Sequence, residues 1–120
     1  MEFNQQEANQ NSIVSVDVSQ VKLAHTTLKI PCFISPNYCV EIEISALNQL
    51  DKLSLFPLSS QDDIDLLIVG TGNSSQFLHP KQQVAIRQMG IGVESMNSDS
   101  ACRSFNLLLS DARLVGLLLL

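Results

Sequence analysis

The residues best placed to do chemistry are Gly70-Thr71-Gly72-Asn73-Ser74-Ser75, at the end of the apolar run Leu66 to Val69. Backbone N–H groups around glycines, helped by the Ser74 and Ser75 hydroxyls, could hold a phosphate or a carboxylate. Glycines also let a chain turn sharply where a strand stops. The pattern is neither Gly-x-Gly-x-x-Gly nor Gly-Lys-Ser/Thr, and Pro80 lies far downstream for a phosphate loop that opens directly into its helix. The residues therefore favour a structural turn over a ligand cradle, with the cradle kept as the alternative.

The remaining polar candidates are sparse. His79 precedes Pro80 and His25 lies in a separate turn, and no spaced acid or cysteine completes a metal set with either. A Ser-His-Asp arrangement lacks a Gly-x-Ser-x-Gly elbow. Neither a catalytic residue, a metal ligand nor a cofactor site is expected. Cys32, Cys39 and Cys102 are odd in number, contain no Cys-x-x-Cys and sit in apolar stretches, so free buried thiols are expected ahead of a Cys32–Cys39 disulfide. Glu94 and Arg103 fall in apolar segments, where a charge is costly unless paired. They are expected to lock strand to helix by pairing with each other or with Asp99. The sharper alternative adds both to the glycine turn as an anion pocket of Gly70, Thr71, Gly72, Asn73, Ser74, Glu94 and Arg103. Asn106, in the middle of a helical pattern, reads as a satisfied structural amide.

The elements that must position these groups follow from periodicity. The first eleven residues are rich in Asn and Gln and read as a disordered arm, followed by one domain over 12–120. Ile13 to Val18 alternates as a strand. Leu28, Ile30 and Phe33 mark a second extended stretch, with Pro31 at an edge or bulge. Val40, Ile42 and Ile44 alternate with Glu41, Glu43 and Ser45 as a strand with one wet face. Ser45 can cap a short helix through Leu53, ended by Phe56-Pro57.

Leu66 to Val69 has no polar face, which suits a strand covered on both sides at the centre of the fold. Pro80 opens a helix that stops near Gly90. Ile91 to Met96 reads as a second core strand. Ser98 caps a helix whose buried stripe is Ala101, Phe105 and Leu108, widened by Cys102 and Leu109. An apolar strand follows Arg113, with its direction left open. Together these give a three-layer α/β fold: a mixed central sheet, a β-α-β-α-β C-terminal half and an antiparallel N-terminal β layer that extends or flanks that sheet.

Bulk numbers narrow the partners. With 12 acidic against 7 basic side chains and a net charge of −5, phosphate-backbone binding is disfavoured, so nucleic acid is not expected as a partner. The acidic, Arg-free start matches neither a secretory signal nor a transit peptide. The apolar end, 114–120, is far short of the roughly 20 residues of a membrane helix. A soluble, cytoplasmic protein is expected.

The set Asp65-Leu-Leu-Ile-Val-Gly-Thr-Gly72, Phe77, Met89-Gly-Ile-Gly-Val-Glu-Ser-Met96, Ala101-Cys-Arg-Ser-Phe-Asn106 and Asp111-Ala-Arg-Leu-Val115 resembles the Mth938-like domain family. Its bacterial and archaeal members are of unknown function, and its mitochondrial relative is an assembly factor of respiratory complex I, the NADH:ubiquinone oxidoreductase. Residues 60–120 carry the resemblance. It departs from the family at Ser98 and Ser104, where Thr is associated with it, and at Asp111-Ala112, where Glu-Gly is commoner. The resemblance implies the three-layer fold, no established catalytic residue, and a protein partner, with complex I subunits as the candidates. The missing transit peptide points to a bacterial cytoplasmic member. Homo-oligomerisation is left open.

Overall fold

The computed structural model describes residues 11–120, so the arm expected over the first residues lies outside it, Asn11 excepted. The elements are strands β1 (Ile13–Val16), β2 (Gln20–Leu23), β3 (Thr27–Lys29), β4 (Cys32–Ile34) and β5 (Cys39–Glu41), a 3-10 turn (Leu47–Gln49), helix α1 (Lys52–Ser59), β6 (Leu66–Gly70), α2 (Pro80–Arg87), β7 (Gly92–Met96), α3 (Ser98–Ser110) and β8 (Val115–Leu119). Strands β1, β2 and β3 form an antiparallel sheet; the other five form a mixed sheet in the order β5-β4-β8-β6-β7.

The mixed sheet is the middle layer because its strands are apolar on both faces. Side chains alternate across a strand, so Ile68 and Leu117 join one buried cluster with Ala101, Cys102 and Phe105 of α3. Leu67, Val69 and Leu118 join another with Leu55 and Leu58 of α1 and Ile86 of α2. The three-stranded sheet shares the α3 face, contributing Ile13, Val21 and Leu28. The expected layers are all present. The strand at the centre, however, is β8, whose five residues are all buried, with β6 beside it. β8 runs parallel to β6 and antiparallel to β4.

Several boundaries differ from expectation, each for a local reason. The stretch through Pro31 is two strands in different sheets, β3 pairing with β2 and β4 with β5 and β8, and Pro31, which has no N–H to give to a ladder, stands between them. β2 went unrecognised; its pattern Gln-Val-Lys-Leu is short but alternates cleanly between exposed and buried. Residues 40–44 do alternate in burial, yet only Cys39–Glu41 pairs as strand.

The helix expected to start at Ser45 is instead the 3-10 turn followed by α1. Asp51 is the stronger cap: its Oδ1 accepts from Ser54 N at 2.8 Å while Ser54 Oγ accepts from Asp51 N at 3.0 Å. α1 runs through Pro57 rather than ending there. The proline forgoes one N–H bond, to the carbonyl of Leu53, whose residue is exposed to water. β7 is not a core strand but an edge strand, its residues half-buried or exposed.

Candidate functional site

The topology singles out one place. The chain leaves β6 through α2, on one face of the sheet, and leaves the adjacent β7 through α3, on the other. Where neighbouring parallel strands send their connections to opposite faces, a crevice opens at their C-terminal ends, and ligands of open α/β sheets favour that position. Gly70-Thr71-Gly72 and Met96-Asn97-Ser98 are the two sides of this crevice.

Here the crevice is closed by its own hydrogen bonds. Thr71 N donates to Met96 O at 2.9 Å, and Ser98 N donates to Gly72 O at 2.8 Å. Gly72 N donates to Ser98 Oγ at 2.8 Å. The Thr71 hydroxyl lies 2.7 Å from Ser74 O and 3.1 Å from Met96 O, and accepts from Gln76 N. The N–H groups of Thr71 and Gly72 that would hold an anion are thus already committed.

Both glycines are required by geometry. A Cβ on Gly70 would stand 2.7 Å from Leu119 Cδ2 and 3.1 Å from Ser98 Cα, so only glycine lets α3 begin this close to β6. Gly72 has open space around it but a φ of +81°, in the left-handed region.

Ser98 was expected to cap α3. The cap is Asn97, whose Oδ1 accepts from Ser100 N at 2.9 Å, leaving the Ser98 hydroxyl for Gly72. Two cap-competent residues in a row carry no signal in the sequence to say which one caps. Asp99 does sit in the first turn of α3.

Beside the closed crevice, on the α3 face, lies a groove of about 470 Å³. Gly72, Asn73, Asn97, Ser98, Asp99 and Asp17 supply its polar rim, with Val16, Ile30 and Leu120 as apolar wall. Asp17 holds its carboxyl below the usual range through N–H bonds from Ser19 and Gln20. Of the expected set, Gly72 and Asn73 touch this groove, while Gly70 and Thr71 build the turn beneath it. Glu94 and Arg103 do not line it, and both are exposed. Each occupies an outward position of its element, which a segment-level reading cannot distinguish. Asp17, Asn97 and Leu120 were missed because the approach of β1 and β8 to the α3 start is a tertiary fact.

The other candidates resolve into structural roles. His79 caps α2, its Nδ1 accepting from Lys81 N at 3.1 Å, and His25 Nε2 lies 2.9 Å from Asn11 Oδ1. Asn106 Oδ1 accepts from Ile13 N at 2.7 Å and its Nδ2 donates to Ile13 O at 3.0 Å, the satisfied amide expected of it. The three cysteines are free thiols; burial pushes Cys32 and Cys102 up to about 12, so they are protonated and unreactive at neutral pH. Among the described residues no group of three His, Cys, Asp or Glu could hold a metal ion. None of their helices is long and apolar enough to cross a membrane.

Comparison with known proteins decides the family. The model of a family described as "Protein of unknown function (DUF498/DUF598)" matches residues 13–120. The chain belongs to the DUF498/DUF598 family. Mouse "NADH dehydrogenase [ubiquinone] 1 alpha subcomplex assembly factor 3" is 34% identical over 88 residues, 72% of this chain and 47% of the mouse protein. This DUF498/DUF598 chain therefore spans about half the length of the curated assembly factors it matches. In solved structures, a Xanthomonas campestris protein is 26% identical at a TM-score of 0.75, covering 95% of this chain and 88% of its own. A Bordetella pertussis protein described as an Mth938-like domain is 18% identical at a TM-score of 0.78, covering 100% of this chain and 92% of its own. The latter shows the fold, as the resemblance in the C-terminal half implied.

Proposed function

We propose that this DUF498/DUF598 protein is a non-enzymatic interaction module that assists assembly of a respiratory complex of the NADH:ubiquinone oxidoreductase type, acting from the cytoplasm. The observation that carries the reading is its 34% identity to an assembly factor across most of the described domain. The geometry supports it from the other side. The Thr71 and Gly72 N–H groups are spent on the fold, His79 caps α2, His25 lies beside Asn11, and the Cys32 and Cys102 thiols are buried. Large apolar side chains meanwhile stand out in solvent on several elements, Leu53, Phe56, Phe77 and Leu107 among them. Exposed aromatic and aliphatic side chains are the raw material of protein interfaces. Affinity purification of the full chain at native expression, with mass spectrometry, tests the reading. Enrichment of complex I-type subunits is expected; their absence overturns it.

A second reading keeps the groove as a small-molecule site, favoured by its volume of about 470 Å³, within the range of ligand pockets. Its rim carboxylates, Asp17 and Asp99, disfavour an anion. A thermal-shift screen of small molecules, with inorganic phosphate as the anion control, tests it; a flat response across the screen removes it.

A further inference from the structure

The mixed sheet has two ends, and they are treated differently. β5 is three residues long, and the Glu41 carboxylate accepts from Lys29 N at 2.8 Å, tying that end to β3. β7 is five residues long and pairs, among the described residues, with β6 alone. Gly92 N donates to Asp65 O and Met96 O accepts from Thr71 N, so the even-numbered residues of β7 bond inward to β6. In a parallel ladder the alternate residues face away, which turns the N–H and C=O groups of Val93 and Ser95 outward. An exposed row of this kind is a template for one more strand.

The side chains around that row say what would fit. Val93 is half-buried on the α1–α2 side, while Glu94 is exposed on the α3 side, in register with Ile68. The Ser95 hydroxyl donates to Gln76 O, which fixes the loop before α2 beside the strand and holds Phe77, 82% exposed, next to it. The edge thus offers apolar surface on one side and a carboxylate on the other.

We propose that the free edge of β7 receives an extended segment of a partner protein, alternating apolar with basic residues, by strand addition. The apolar side chains of that segment lie toward Val93 and Phe77, and a Lys or Arg lies toward Glu94. Charge selects this occupant over two others. A second copy pairing β7 with β7 would bring Glu94 toward Glu94, and like charges across strands are unfavourable. The chain's own first ten residues contain Glu2 and Glu7 and no base. The net charge of −5 acts in the same direction. This proposal rests on the interaction-module reading, whose partner it describes.

The test uses two capped seven-residue peptides, one alternating valine with lysine and one alternating valine with glutamate. Each is added to the isotopically labelled full chain while amide exchange is followed residue by residue. The lysine peptide is expected to slow exchange of the Val93 and Ser95 amides by roughly tenfold or more, and the glutamate peptide to leave them unchanged. Glu94→Lys should transfer that preference to the glutamate peptide. Val93→Pro removes an outward N–H without touching the pairing with β6, and should abolish protection of Ser95 while circular dichroism stays native. Protection by neither peptide, equal protection by both, or survival of the effect in folded Val93→Pro overturns the proposal. Failure here is separable from failure of the function: if complex I-type subunits copurify equally with Val93→Pro, the edge falls and the module stands. Peptide protection without any such copurification is the reverse.

Discussion

Gly72 and Ser98 bond to each other twice: Ser98 N donates to Gly72 O, and Gly72 N donates to Ser98 Oγ, both at 2.8 Å. This reciprocal pair fastens the end of β6 to the start of α3. Removing the hydroxyl with Ser98→Ala leaves a partly buried N–H without its partner. The expected loss is about 1 kcal/mol of stability, read from the denaturant midpoint. Faster exchange of the Gly72 amide should accompany it.

The two glycines of the turn should respond for different reasons and to different extents. Gly70→Ala drives the added carbon into the buried Leu119 side chain and presses on Ser98 at the start of α3, and overpacking of this sort costs about 2 kcal/mol. Gly72→Ala meets nothing but must hold a positive φ, costing about 1 kcal/mol. Denaturant unfolding of both variants checks the order.

Asn106 is the brace between α3 and β1. With Asn106→Ala, both backbone groups of Ile13 lose their partner, and a destabilisation of about 2 kcal/mol is expected. Asn106→Asp keeps an acceptor for Ile13 N but presents a carboxylate to Ile13 O, so it should not rescue. Chemical denaturation of the pair, compared with the parent, tests this.

The buried thiols predict an alkaline limit. Burial raises Cys32 and Cys102 from about 9 to about 12, so above pH 9 the unfolded chain releases protons that the folded chain retains. Stability then falls as pH rises from 9 toward 12 and is unaffected by these groups below 9. Each thiol contributes a slope of up to about 1.4 kcal/mol per pH unit. A Cys32→Ala, Cys102→Ala double variant should lose stability overall but show a flatter profile over that window, measured by unfolding across pH.

How much of this was legible in the residues follows from what kind of pattern each feature leaves. Unbroken apolar runs marked β6 and β8, Pro80 and Gly90 bracketed α2, and a 3.6-residue stripe marked α3, because these signals lie along the chain. Asn106 was legible because a polar amide in a buried stripe has to be satisfied. Position within the sheet was not: β8 is wholly apolar and β7 carries Glu94 and Ser95, but which of them is the centre and which the edge is set by pairing. The exposure of Glu94 and Arg103 was out of reach for the same reason, since the sequence does not say which way a charge points from its element. The groove was out of reach because Asp17, Asn97 and Leu120 converge from three distant segments.

The proposed assistance in assembling a respiratory complex is tested by the amount of fully assembled NADH:ubiquinone oxidoreductase on native gels. Host cells lacking this chain are compared with cells in which the full chain has been restored. Less assembled complex, or accumulated subcomplexes, is expected without the chain, with recovery on its return. An unchanged band of assembled complex in its absence would contradict it.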